Sequence, residues 1–101
     1  MYYVITRTFI DDPSLKDNVL KMSKASAEIF RKQSGLIEMK SLLSENETHI
    51  STYLVWDNQQ SHLSCMESKD FAAVTVDWTK YMQEGKIRFE LETYLEMKSD
   101  L

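Results

Sequence analysis

A chain of 101 residues that is 43% apolar and 28% charged has the composition of one ordinary folded domain, residues 1–101, and not of a disordered or fibrous chain. Its net charge of −4, with lysine and arginine scattered throughout, offers no basic stripe for a nucleic-acid backbone. No run approaches the ~20 apolar residues that cross a bilayer, and two glycines with one proline exclude a flexible linker or a phosphate-cradling glycine loop. The lone Cys65 has no intramolecular disulfide partner; with no basic-flanked apolar leader, a cytoplasmic setting is expected.

Tyr2 to Ile10 is rich in β-branched and aromatic residues on both alternate sets, which predicts a strand covered on both faces. Asp11-Asp12-Pro13-Ser14 supplies an N-cap acid followed by proline at the first helical position. Leu15, Val19, Met22, Ser26 and Ile29 then recur at helical spacing, and Gly35 is expected at the C′ position that ends this helix. Leu36 to Ser44 and His49 to Trp56 read as strands of an antiparallel hairpin joined by the polar turn Glu45-Asn46-Glu47-Thr48. Asp57 with Gln60 resembles a capping box, so a helix is expected directly after Trp56, with Ser68 placed to recap it. Phe71, Val74, Trp78, Tyr81 and Met82 form an apolar stripe that Glu84-Gly85 ends. Lys86 to Lys98 alternates as a final strand, with Ile87, Phe89, Leu91, Leu95 and Met97 on an expected core face and Arg88, Glu90, Glu92, Glu96 and Lys98 on a polar one.

The order strand, helix, strand, strand, helix, strand predicts an α+β fold: a ferredoxin-like split β-α-β sandwich, an antiparallel sheet with its helices on one face. Tyr3, Ile5, Tyr53 and Val55 cannot all point at two helices, so the second sheet face calls for a partner subunit, and a homodimer is expected.

Gly35-Leu36, the strand end Tyr53-Leu54-Val55-Trp56-Asp57 and the helix that follows as far as Asp70-Phe71 resemble the antibiotic biosynthesis monooxygenase family. The resemblance implies a dimeric α+β barrel. Its haem-degrading branch carries an asparagine, a tryptophan and an iron-binding histidine at positions that fall here on Thr6, Cys65 and Thr75; all three differ, and a threonine is no imidazole ligand. Its other branch resembles cofactor-free oxygenases, in which an electron-rich aromatic is deprotonated and itself supplies electrons to dioxygen. That implies a monooxygenase acting, with no cofactor, on a small phenol or quinol-like compound.

Such a site needs a dry aromatic pocket, a donor to the developing oxyanion and a base. Trp56 offers an indole N–H, Tyr53 or Thr6 a hydroxyl, and His62 an imidazole for the base role; Val4, Thr6, Leu54, Trp56, Met66, Phe71 and Trp78 are the expected pocket lining around a small apolar or aromatic ligand. Each has a structural reading as well. Trp56 at a strand end anchors a core, His62 beside Leu63 and Met66 fits a satisfied core or solvent-edge histidine, and Trp78 and Tyr81 fit core packing. Cys65 has no cationic neighbour to lower its pKa and reads as an inert buried thiol. His49 and His62 match no ligand spacing, so no metal is expected. The alternative function is a non-catalytic small-molecule-binding or stress-response dimeric module on the same fold.

Overall fold

The computed structural model describes residues 1–97. Strand β1 (Tyr2–Ile10) leads through a short 3-10 turn (Pro13–Leu15) into helix α1 (Lys16–Arg31); β2 (Leu36–Leu43) and β3 (His49–Trp56) form the hairpin; α2 (Gln59–Met66) and α3 (Lys69–Gln83) precede β4 (Ile87–Leu95). The sheet is antiparallel throughout, in the order β2-β3-β1-β4. This is the ferredoxin-like α+β architecture that the element order predicts. The expected position of Lys98 on the last strand lies outside the described residues.

Local chemistry sets the boundaries. The Asp12 carboxylate accepts the Ser14 N–H at 3.0 Å and caps the turn that opens α1. The cap of α2 lies one residue later than the capping-box reading: Asn58 Oδ1 accepts the Ser61 N–H at 2.9 Å, while Asp57 instead accepts the Ser61 hydroxyl at 2.6 Å. Ser68 recaps as expected, accepting from Phe71 N at 3.1 Å, so the stretch after Trp56 is two helices. Gly85, at φ +71°, follows the last residues of α3 in the left-handed conformation that ends a helix.

Gly35 has a different role from the one expected. Helix α1 stops at Arg31, five residues before β2 begins, and the Gln33 side chain donates back to the Ile29 carbonyl at 3.1 Å. Gly35 stands at φ +96° where the entry to β2 meets the start of α2; a Cβ there would lie 2.4 Å from Ser61 Oγ and 2.7 Å from Asp57 Oδ1. Gly35→Ala is therefore expected to destabilise by more than about 1 kcal/mol, read as a lowered urea midpoint; an unchanged midpoint would contradict this role.

Strand parity separates two sheet faces. Tyr2, Val4, Thr6, Thr8 and Ile10 of β1 face the helices, beside their β3 partners Trp56, Leu54, Thr52 and Ile50. Tyr3, Ile5, Arg7 and Phe9, with Val55, Tyr53, Ser51 and His49, face away. The helix side holds two apolar clusters. One gathers Tyr2, Val4, Phe30, Leu54, Trp56 and Cys65; the other gathers Ile10, Val19, Ile50 and Ile87. Helix α1 contributes Val19, Ala27 and Phe30 as its buried residues, so its inner face is rotated slightly from the expected stripe through Met22, Ser26 and Ile29.

β4 departs most from expectation. Its apolar alternation pointed to a core face, yet only Ile87 is buried, with Phe89 47%, Leu91 41% and Leu95 78% exposed, and Met97 beyond the strand 74%. The reason is position: β4 is an edge strand, and beyond Ile87 its inward residues Phe89 and Leu91 border open space beneath α3 and not a packed layer. Alternation reports which residues share a face, not whether anything covers it.

Candidate functional site

Between the two clusters the central strands β1 and β3 present only threonines to the helices. Thr6 and Thr52 are cross-strand partners at the centre of this sheet floor, with Thr8 two residues along β1. The overlying helix positions are also small: Ser23, Ser26 and Ala27 on α1. Small residues facing small residues leave a cavity of about 280 Å³, walled at one end by Val4, Leu54, Phe30, Met39 and Met66. Phe71, Thr75, Trp78, Thr79 and Met82 of α3 roof it, and Ile87, Phe89 and Leu91 of β4 border it. The large exposures of Met82, Phe89 and Leu91 put its mouth at the edge where α3 meets β4. The β4 residues that miss the core thus form the rim of this opening.

All six residues expected to contact a ligand, Val4, Thr6, Leu54, Met66, Phe71 and Trp78, line this cavity. The residues expected to carry chemistry stand elsewhere. Trp56 is fully buried beneath the cavity wall, its ring edge-on to Phe30 at 6.3 Å between centroids, and Phe30 rather than Trp56 meets the open space. His62 is 5% exposed, wedged between the rings of Tyr2 and Trp56 at 5.7 and 5.8 Å. Tyr53 lies on the opposite sheet face, opposite Ile5 and 6.4 Å from the Tyr3 ring. No single pocket brings these three together. Among the described residues the indole N–H of Trp56 and Nδ1 of His62 are buried without a hydrogen-bond partner, so each costs stability where it sits.

Burial holds the His62 imidazole below its usual range, because an imidazolium there would lose its hydration. A folded-state pKa below the unfolded one means that the contribution of His62 is whole above about pH 6.5. It is lost progressively as the pH falls, because the unfolded chain takes up the proton first, and the loss levels off only below the depressed folded value. Stability is expected to decline between pH 7 and 5 with a slope of up to about 1.4 kcal/mol per pH unit, and His62→Gln is expected to flatten that slope. An identical pH dependence in the variant would contradict it. The carboxylates of Asp11, beside the Arg88 guanidinium, Asp12, beside Ser14, and Glu84, beside Lys86, are held below their ordinary values and release their contributions in a lower window. Cys65 is fully buried, and desolvation pushes its thiol up to about 11, which makes it a packing residue and not a nucleophile.

The polar groups on the cavity wall are hydroxyls. Thr75 and Thr79 direct theirs to carbonyls of their own helix, Ala72 and Thr75, each at 3.0 Å. Ser26 Oγ accepts the Trp78 indole N–H at 3.1 Å. The hydroxyls of Thr6, Thr8 and Thr52 on the floor and of Ser23 on α1 remain to address a bound molecule, and of the three threonines sequence reasoning singled out only Thr6. The parity of Val4 and Leu54, two residues from Thr6 and Thr52 on the same strands, carried the signal for the others.

No family model matches the chain, and no curated protein matches it in sequence. Its fold does match solved structures. SnoaB, a cofactor-independent oxygenase from Streptomyces nogalater, superposes with a TM-score of 0.76 at 10% identity, covering 97% of this chain and 94% of that one. A protein named antibiotic biosynthesis monooxygenase matches with a TM-score of 0.78 at 15% identity, covering 97% and 100%. Rv0793 from Mycobacterium tuberculosis matches with a TM-score of 0.76 at 9% identity, covering 98% of each. At these identities the likeness establishes the fold: the chain has the architecture of the antibiotic biosynthesis monooxygenases. No helix among the described residues is long and apolar enough to cross a membrane.

Proposed function

We propose that this protein is a cofactor-independent monooxygenase that takes a small phenol or quinol-like aromatic into the cavity between sheet and helices. The observation that carries the proposal is the cavity itself, about 280 Å³ with walls of Trp78, Phe71, Phe30, methionine and aliphatic side chains broken by threonine hydroxyls, on a fold shared with a named cofactor-independent oxygenase. Val4, Thr6, Leu54, Met66, Phe71 and Trp78 are the proposed ligand contacts. Trp56 and His62 serve as buried support behind that wall and do not act as donor and base, and Tyr53 belongs to the other sheet face.

The reaction balances without a reductant. A phenol and one dioxygen give a quinone and one water: one oxygen atom enters the ring, the other leaves as water, and all the electrons come from the phenol. The cavity's contribution is to hold the ring away from water and to donate threonine O–H groups to the oxygen on which negative charge develops. Since no ionisable side chain is among the described lining residues, the proton leaves to solvent at the mouth and the substrate's own acidity governs the rate. The same lack of a base favours a second reading, in which the cavity binds its ligand without turning it over.

Oxygen uptake by the metal-stripped protein against a panel of phenols and hydroquinones separates the two. Uptake with one dioxygen consumed per quinone formed and no hydrogen peroxide released supports the oxygenase; tight binding of the same compounds with uptake no faster than for heat-denatured protein supports the binding module.

We further propose that a second copy covers the open sheet face, where Tyr3, Ile5, Phe9 and Tyr53 are only half-buried and Leu42 is 57% exposed. Arg88 lies over the Phe9 ring at 4.7 Å while pairing with Asp11 at 2.8 Å, and Arg7 reaches Glu92 at 3.7 Å, so both arginines on that face are already partnered within the chain. A dimer by sedimentation is the expected result, and a monomer at all concentrations would contradict it. A cytoplasmic location, in keeping with the free, buried Cys65, is part of the same proposal.

A further inference from the structure

Resting on the reading of the cavity as a ligand site, we infer that it selects uncharged aromatic compounds carrying a hydroxyl or carbonyl group, and that Thr6, Thr8 and Thr52 recognise that group. Every described residue of the wall is aliphatic, aromatic, thioether or hydroxyl. A carboxylate, sulfonate or phosphate entering this space would leave its hydration shell and meet no cation, guanidinium or amide to replace it, a loss that hydroxyls alone do not offset. A ligand with no polar atom meets the opposite mismatch, because the hydroxyls of three floor threonines then lose water without gaining a partner.

The hydroxyls are grouped, and that grouping gives direction. Thr6 and Thr52 stand side by side across the β1–β3 pair, and Thr8 lies on the same face of β1. Val4 and Leu54 bound the group at one end, and Ile10 and Ile50 at the other. Above it the roof hydroxyls of Thr75 and Thr79 are bound to their own helix and Ser26 is bound to Trp78, so that Ser23 is the one lining hydroxyl outside the floor group with no partner among the described residues. A planar ligand therefore lies with its ring against Phe71 and Trp78 and its polar edge on the sheet floor. The preference for a neutral hydroxyl-bearing ring follows from wall chemistry and holds whether or not the bound compound is oxidised.

Three ring-matched probes test it: naphthol, neutral at neutral pH, naphthoate, anionic at the same pH, and naphthalene, with Trp78 fluorescence as the readout. The full-length protein is expected to bind naphthol about tenfold or more tighter than naphthoate, the lower end of what an unpaired charge costs. The double variant Thr6→Val, Thr52→Val keeps β-branched shape and strand propensity. It is expected to weaken naphthol about tenfold while leaving naphthalene unchanged or tighter. Naphthoate binding as tightly as naphthol, or naphthol unaffected by the valines, would overturn the inference while leaving the cavity a ligand site. Failure of all three probes to bind would remove the ligand site and the inference together, and oxygen uptake reports on the oxygenase proposal separately.

Discussion

Trp56→Ala is expected to destabilise the protein by about 3–5 kcal/mol, a large fraction of the ~5–15 kcal/mol that holds a domain together. Trp56→Phe is expected to lose far less, on the order of 1 kcal/mol or under. The difference follows from what surrounds the ring. Trp56 is fully buried at the closed end of the sheet, opposite Tyr2 and Leu36, edge-on to Phe30 and beside His62. Alanine would leave a void where the fused ring stood, next to the residues that wall the cavity. Phenylalanine keeps most of the packing and removes an indole N–H that has no partner among the described residues, so part of the lost dispersion is returned as relieved desolvation. The same variant decides the role of Trp56. A packing residue behind the wall leaves ligand affinity and any turnover within a few-fold of the parent in Trp56→Phe, whereas a donor to the reacting oxygen would not survive the change. Urea denaturation and ligand titration on the two variants give both answers.

Ala27→Phe is expected to abolish ligand binding, weakening it about a hundredfold or more, while leaving the fold intact. Ala27 is 5% exposed on the inner face of α1 and borders the cavity directly, with Phe30 one turn further on. A benzyl group there enters the space above Thr6 and Thr52, where there is room that a packed core would not offer. Overpacking the adjacent clusters typically costs about 1–3 kcal/mol, and the apolar area buried offsets part of it. The readouts are the naphthol titration and the urea midpoint. Binding retained with a folded variant would show that the ligand enters elsewhere. Binding lost together with the fold would be separated by Ser23→Leu, a smaller filling from the same helix.

The architecture was legible because its signals are local and redundant. Proline after an acid at the start of the first helix, the polar turn before His49, Ser68 and Gly85 each mark a boundary by backbone chemistry that tertiary packing did not override. The lining of the cavity was legible for a similar reason. Val4 and Thr6 on one strand share a parity, Leu54 lies opposite Val4, and Phe71 and Trp78 lie two turns apart on one helix face.

The chemistry was not legible in the same way. Tyr53 is offered as a donor to the pocket although its parity with Ile5 and Val55 sets it on the second sheet face, and adjacent residues of a strand point to opposite faces, which sends Tyr53 away from Leu54. Trp56 does share the face of Leu54, yet only three-dimensional packing reveals that α2 and Phe30 seal it off. His62 gave no signal of depth, because the short α2 has little amphipathic pattern to show which side faces Trp56. The edge position of β4 was likewise hidden, since its alternation is that of a covered strand. Gly35 was read as a helix stop because glycine after a helical stripe usually is one; the close approach of Ser61 and Asp57 from another element has no sequence signature.

The most direct test of cofactor-free oxygenation in this cavity is mass spectrometry of the product formed from a phenol under isotopically heavy dioxygen, using metal-stripped protein with Ala27→Phe in parallel. The expected result is a quinone carrying one heavy oxygen atom, with the second atom recovered in water and no product from the filled variant. Unlabelled product, or labelled product formed equally by Ala27→Phe, would contradict it.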